Sequence, residues 1–351
     1  YSVGRIGLAI APSRPSMLYA QIITGTIGGY SGRGMYRTLN GGATWTRRDV
    51  SGFTGLFGGF GWYFGDVAVD PTNPDKVYAL GQYLGRSTDG GSSFSDVTGD
   101  SHVDHHAMWI DPVNPDRVYL GNDGGFYSTV VGGNTWTKAV TLDITQFYAG
   151  AIDPSNPARL LGGTQDNNTL ITTGSPTAWS AILGGDGFHC AVDPTNPAVI
   201  IAEWQFCCSN SGPQRSTTSG GSWIGPTGVA SGDRFNWSTP LVMNPKNHNV
   251  ILFGSQRVYR STNNGVAYSV ISGDLTTNNT SSLLTYSTIT ALDISPADTS
   301  VYYAGTDDGR VWRSTNRGGS WTDISAGLPV RWVTGVTADP VNAQVVYVTH
   351  S

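Results

Sequence analysis

The chain reads as an all-β protein, a β-propeller of seven to eight four-stranded blades closed by one recurring turn. Three observations predict this. An Asp-Pro-x-Asn-Pro turn between two apolar strands recurs at Asp70 to Pro74, Asp111 to Pro115, Asp153 to Pro157 and Asp193 to Pro197. Looser copies stand at Ala11-Pro12, Asn244-Pro245, Ser295-Pro296 and Asp339-Pro340. A second turn, Ser/Thr-x-Asp/Asn-x-Gly-x-Ser/Thr-aromatic, alternates with it. Clear copies run from Thr38 to Trp45, Ser87 to Phe94 and Ser314 to Trp321, and Ser261 to Tyr268 departs only at Ala267. Worn copies end at Trp136, Trp179 and Trp223, and Val131 and Thr218 replace the acid in two of them. Third, the period is roughly 42 to 53 residues, the length of one propeller blade.

In chain order the repeats divide into blades at about 4–52, 61–100, 104–144, 146–183, 186–230, 234–275 and 285–329, all within one propeller domain. A partial eighth follows at 331–351. In the second blade, strand A is Asp66 to Asp70, B is Lys76 to Leu80, C is Leu84 to Ser87 and D is Ser93 to Val97. Such segments are dense in Val, Ile, Tyr and Trp and punctuated by Gly and Pro. Val199 to Ala202 and Val250 to Phe253 are apolar at every position, as expected of sheets covered on both faces. The eighth repeat supplies strand A (Val333 to Asp339) and strand B (Val345 to Val348), and then the sequence given stops. Its other strands lie in sequence beyond, or the tail pairs with an N-terminal edge. An open edge invites self-association.

The second turn has a structural purpose. Asn40, Asp89, Asn263 and Asn316 can bond the turn's own amides, and the Gly two residues on permits positive φ. Trp45, Phe94, Tyr268 and Trp321 are expected to bury against the blade and pin the hairpin. These residues are read as fold elements.

Composition narrows the function classes. The 351 residues include 47 Gly, 18 Pro and 11% aromatics, which is turn chemistry for many short strands. Charged residues make up 13% with a net charge of −5 and no long run of one sign, against a nucleic-acid partner. No apolar stretch is long enough to span a membrane as a helix. The start at Tyr1 suggests a mature or excised piece of a longer product. Three cysteines make no disulfide framework. Cys207 and Cys208 are too close for an ordinary bridge; Cys190 pairs with one of them, or all three stay thiols. Few Lys with much Ser, Thr, Asn, Gly and Trp point to an extracellular, periplasmic or cell-surface protein.

The turn Ser314-Thr-Asn-Arg-Gly-Gly-Ser-Trp321 resembles the Asp-box, the bacterial neuraminidase repeat. Asp-boxes occur in sialidases, xyloglucanase-type glycoside hydrolases and sortilin-like VPS10 domains. The resemblance spans essentially the whole chain and is strongest to secreted bacterial repeat proteins with a sortilin-type propeller. Its stretches are matched by His102 to Trp109, Gly121 to Gly125, Thr164 to Asn168, Gly184 to Phe188, Arg234 to Trp237 and Gly305 to Gly309. It implies a propeller, and either binding or glycoside hydrolysis. Departures bear on the enzyme. Arg5-Ile6-Gly7 is a poor echo of the sialidase start, and Glu203 is the only glutamate for a Tyr–Glu nucleophile pair. Ala20 to Gly25 lacks the carboxylate that xyloglucanase-like enzymes place there.

Strand order puts the repetitive A–B and C–D turns on one face of a propeller and the B–C and D–A loops on the other, where function is expected. From that second face come the candidate catalytic aspartates Asp123, Asp166, Asp186 and Asp307. Two of them set about 5 to 9.5 Å apart would serve as a glycosidic acid/base pair. Asp beside Gly is also ordinary turn chemistry. The binding candidates are Trp62, His105, His106, Gln165, His189, Trp204, Arg234, Trp237, Asp308 and Trp332. Tryptophans there stack on sugar rings, anchor a peptide, or simply pack. Adjacent His105 and His106 point to opposite faces, so no metal is assigned, and no cofactor is expected. Asn167, Asn236, Asn278 and Asn279 satisfy the N-glycosylation pattern, which means nothing in a bacterial product. Three functions therefore stand: a non-enzymatic module binding glycan or polypeptide, a glycoside hydrolase, and a subunit of an extracellular polymer.

Overall fold

The computed structural model describes residues 3–24, 32–48, 51–58, 60–61, 63–142, 144–175, 177–278 and 286–351. They form eight antiparallel sheets, the all-β blades of the propeller class predicted from the repeats. Each sheet is a meander in which consecutive strands pair. The chain divides into two compact units, Tyr1–Ile144 and Thr145–Ser351.

The first unit holds three four-stranded sheets. These are β1 (Val3–Ile10), β2 (Leu18–Thr24), β3 (Gly32–Thr38) and β4 (Thr46–Arg47); β5 (Asp66–Val69), β6 (Val77–Leu80), β7 (Leu84–Ser87) and β8 (Ser95–Asp96); and β9 (His105–Ile110), β10 (Val118–Asn122), β11 (Gly125–Thr129) and β12 (Thr137–Lys138). The innermost strand of each sheet packs on the two inner strands of the sheet before it. Met17, Tyr19, Met35, Phe53, Phe57 and Val77 fill the first seam; Tyr78, Leu80, Val118, Leu120 and Trp136 fill the second.

The second unit begins with β13 (Phe147–Asp153), β14 (Asn156–Thr164), β15 (Thr169–Thr172) and β16 (Trp179–Leu183). The next sheet has β17 (Gly187–Val192), β18 (Ile200–Trp204) and β19 (Gln214–Ser216). Then come β20 (Leu241–Met243), β21 (Ile251–Gly254), β22 (Val258–Ser261) and β23 (Ser269–Val270), and β24 (Ile289–Ile294), β25 (Tyr302–Thr306), β26 (Val311–Ser314) and β27 (Thr322–Asp323). Last is the pair β28 (Val333–Ala338) and β29 (Val346–His350). The seams are again apolar, with Ile201, Phe253 and Tyr259 in one and Leu252, Ile294 and Tyr302 in the next.

Seven complete four-stranded units were expected, and the sheet β17–β19 corrects this: it has three strands, with one isolated bridge from Arg215 to Ile224 in the fourth place. Pro226 is the cause. In the second sheet the equivalent residue, Val97, donates its N–H to Leu84 O at 2.8 Å, and a proline has no N–H to give.

Both turns work through their side chains. Asp70 Oδ1 accepts the N–H groups of Thr72 (2.8 Å) and Asn73 (3.0 Å), and Asn73 Oδ1 accepts that of Asp75. Asp111, Asp193, Asn244 and Asp339 do the same. In the second turn Ser87 Oγ accepts the N–H of Gly91, whose φ is +81°, and Asp89 Oδ1 accepts those of Ser92 and Ser93, each at 2.9 Å. Thr38 with Asn40, Ser261 with Asn263 and Ser314 with Asn316 repeat the pattern. Burial alone would raise the Asp89 carboxyl, but hydrogen bonds from Ser93, Ser87 and Ser92 outweigh it and hold it at about 2.

The closing aromatics have a shared partner. The indole N–H groups of Trp136, Trp223 and Trp321 donate to Val97 O (2.9 Å), Ile182 O (2.6 Å) and Ile271 O (2.9 Å), each in the preceding sheet. Tyr268 is buried edge-on against Phe253, and Phe94 is half-buried beside Phe53. Trp45 corrects the expectation of burial, being 40% exposed. It closes the first sheet of the chain.

Candidate functional site

The second unit contains a cavity of about 460 Å3 lined by the inner strands of its sheets. Tyr148 comes from β13, His189 from β17, Thr290 from β24, and Trp332 from the residue before β28. Asn236 and Ser238 enter from the loop leading to β20. Strand periodicity accounts for this: alternate side chains of each strand face the neighbouring seam, and the others face inward. Among the described residues, no Asp, Glu, Lys or Arg lines the cavity. Burial lowers the His189 pKa, so the imidazole is neutral at pH 7 and serves as donor or acceptor. Asn236 is almost fully buried, and its amide donates to Thr288 Oγ1 at 2.8 Å. That removes it as a glycosylation acceptor.

Beneath His189 lies Glu203, wholly buried. Its Oε1 accepts the His189 N–H at 3.1 Å, while Oε2 has no hydrogen-bond partner. Burial pushes its pKa well above the usual carboxylate range. Cys190, Cys207 and Cys208 are free thiols. Burial pushes Cys190 and Cys208 up to about 12.

Trp332 also lines a second cleft of about 950 Å3, with Asp307, Asp308, Arg310, Asp323 and Arg331. Its carboxylates are engaged. Buried Asp307 accepts the N–H groups of Tyr286 (2.7 Å) and Thr288 (3.0 Å), and burial raises its pKa. Asp308 accepts from Thr277 and Thr306, and Asp323 pairs with Arg310 at 2.9 Å.

Beside the cavity runs a row of aromatics. Tyr148 stacks on Phe188 at 4.4 Å, Phe188 meets Trp237 edge-on at 6.4 Å, Trp237 meets Phe206 at 5.1 Å, and Phe206 meets Tyr286 at 6.0 Å. Phe206 opens a left-handed stretch, Phe206 to Asn210, with φ between 48° and 68° and no glycine. Such backbone costs roughly 1–2 kcal/mol per residue. It is held by Phe206 N–H on Trp237 O at 3.1 Å and by burial of Cys207 and Cys208.

The other candidates lie outside the lining of these two cavities. Asp166 N–H donates to Asp186 Oδ1 at 3.3 Å, and Asp186 N–H to Gln205 Oε1 at 2.8 Å, so these two aspartates are neighbours. Gln165 is tied by its backbone to Gln146 and Asn167. Trp204 Nε1 reaches Ser209 Oγ at 3.4 Å. Arg234 clamps Asp274 at 2.8 Å and Ser287 O. In the first unit, Asp123 Oδ1 lies 2.8 Å from His106 Nε2, and His106 packs on Tyr63 and Phe64. His105 is fully buried, with neither ring nitrogen partnered. Trp62 lies outside the described residues. Sequence reasoning missed Tyr148, Phe188, Phe206 and Tyr286. Each sits in or beside a strand, where an aromatic reads as core.

No family model matches the chain, and no curated protein is similar to it. Among solved structures it is similar to a GH74 enzyme from Niastella koreensis, at 16% identity over 97% of this chain and 61% of that one, with a TM-score of 0.36. It is similar to YCF48 bound to D1 peptide, at 13% identity over 90% and 94%, TM-score 0.34. It is also similar to an extracellular domain, BT4673, from B. thetaiotaomicron, at 14% identity over 78% and 35%, TM-score 0.42. The chain thus spans about three fifths of the GH74 structures.

Proposed function

We propose that the chain is an extracellular, non-enzymatic Asp-box propeller of the sortilin-like kind that binds a glycan or polypeptide. The cavity lined by Tyr148, His189, Asn236, Ser238 and Trp332 is its binding site. One observation carries this: the cavity combines aromatic walls, hydroxyls, an amide and a neutral imidazole, and among the described residues no carboxylate lines it. A glycoside hydrolase needs two converging carboxyl groups. The aspartates of the neighbouring cleft are engaged by backbone amides, hydroxyls and Arg310.

The test is a panel of polysaccharides and peptides offered to wild type, Trp332→Ala and Asp186→Ala. Binding weakened about tenfold or more by Trp332→Ala, without turnover, is the expected result. Hydrolysis of any polysaccharide that disappears in Asp186→Ala would overturn it in favour of the enzyme.

A further inference from the structure

We infer that the outer edge of β29 is a second interaction surface, separate from the cavity above. It takes a β-hairpin closed by a second turn of the kind this chain repeats, carried by a partner polypeptide. Three groups along this edge stand unengaged, although their equivalents elsewhere in the chain are engaged by neighbouring strands and turns.

The first is an arginine. Arg86, Arg215 and Arg260 hold the same place, immediately before the Ser that opens a second turn. Each donates to the backbone carbonyl at the fourth position of the next sheet's second turn. Arg86 reaches Gly132 O at 2.7 Å, Arg215 reaches Asn264 O at 2.9 Å, and Arg260 reaches Arg317 O. Arg37 stands in that place too but pairs with Asp75, and Arg48 of its sheet takes the carbonyl of Gly90 at 3.0 Å. Arg313 holds the place before Ser314, opposite Tyr303 on the neighbouring strand. Its Nε is buried and has no hydrogen-bond partner among the described residues. A buried guanidinium donor without a partner is costly, so this position favours an incoming carbonyl.

The second is a carbonyl. Val97 O and Ile271 O accept the indole N–H groups of Trp136 and Trp321. Val97 and Ile271 also donate their own N–H to Leu84 O and Val258 O. Ile324 donates to Val311 O in the same way and so holds the same place, yet among the described residues no indole reaches its carbonyl. The third is the strand edge. In the sheet before, β25 is bonded on both sides, by β24 and β26, whereas β29 is bonded by β28 alone. Such an edge is a template for strand addition.

The three groups are held in register. The Tyr303 hydroxyl donates to Ala343 O at 2.8 Å, as that of Tyr19 donates to Pro74 O at 2.8 Å, each at the fifth position of a first turn. The last two strands are therefore docked on their neighbour as the inner strands of a full sheet are. A hairpin added to β29 brings its second turn to Arg313 and its closing indole to Ile324, beside the partly buried Leu328. The chemistry thus defines the occupant: an edge strand, a turn with an open fourth carbonyl, and a closing Trp. The second turns described in this chain are each paired within their own sheet, so a second copy has none to lend.

The experiment offers the full chain a peptide of residues 311–325, its own last hairpin, closed by a disulfide between added terminal cysteines. Calorimetry and the thermal midpoint are read. The peptide should bind one to one and raise the midpoint. Trp321→Ala in the peptide, or Arg313→Met in the chain, should each weaken binding about tenfold or more. Without peptide, Arg313→Met should leave the midpoint unchanged while Arg86→Met lowers it, because Arg86 has a carbonyl to lose. Equal losses in these two variants overturn the inference. So does an absence of binding up to about 1 mM peptide, or binding indifferent to Arg313→Met. A concentration-dependent dimer in sedimentation, dispersed by the peptide, would put a second copy on the edge and overturn the partner polypeptide. The cavity is tested by its own panel, whichever of these results is found.

Discussion

Two buried titratable side chains pull the stability of the chain in opposite directions with pH. His105 is fully buried with both nitrogens unpartnered, and burial holds its pKa at about 4 against 6.5 when exposed. The unfolded chain therefore takes up the proton first. Stability is complete above pH 6.5 and falls as pH drops toward 4, by at most about 3 kcal/mol from this group. His105→Leu should flatten that slope and raise the thermal midpoint at pH 5, as scanning calorimetry at pH 7 and 5 would show. Unchanged pH dependence would mean that the imidazole is not the source. Glu203 has the opposite sign. Its folded pKa is raised by burial, so its contribution is complete below 4.5 and lost as pH rises toward the folded value. Glu203→Gln should accordingly be more stable than wild type at pH 8 and closer to it at pH 4. The same midpoint comparison checks this.

Three repeats are tied to the one before by an indole hydrogen bond, from Trp136, Trp223 and Trp321. Trp321→Phe would keep an aromatic side chain, though a smaller one, and leave the Ile271 carbonyl without its donor, at an expected cost of about 1–2 kcal/mol. Trp45→Phe should cost less than about 0.5 kcal/mol, because that ring is 40% exposed. Urea unfolding of the two variants compares them directly; equal losses would mean that the aromatics act by burial alone. Strands and turns were legible in the sequence because short-range chemistry sets them. Asp70, Asp89 and their equivalents bond amides within four residues of themselves. The three-stranded sheet was less legible: Pro226 matters only through the bond that Val97 makes in another repeat. The left-handed stretch at Phe206 was not legible at all, since no glycine marks it and the core around Cys207 and Cys208 imposes it.

For the whole chain, stability is built from sheet-to-sheet seams, as in any repeat array. The last pair of strands covers Ala291, Tyr303 and Val311 with Val333 and Val336. Deleting 331–351 would expose that seam and strip Trp332 from both cavities. The expected result is a thermal midpoint lower by several degrees, measured by circular dichroism, with loss of ligand binding. The candidate site was only partly legible at this scale. His189 and Trp332 line one cavity and Trp237 stands among the aromatics beside it, but the rings around them were hidden in core-like sequence. Carboxylates drew the eye in the sequence, while the cavity turned out to have none. That has a practical consequence at the bench. A partner held in this cavity without ion pairs should not notice sodium chloride, and its dissociation constant should stay level from about 20 mM to about 0.5 M salt.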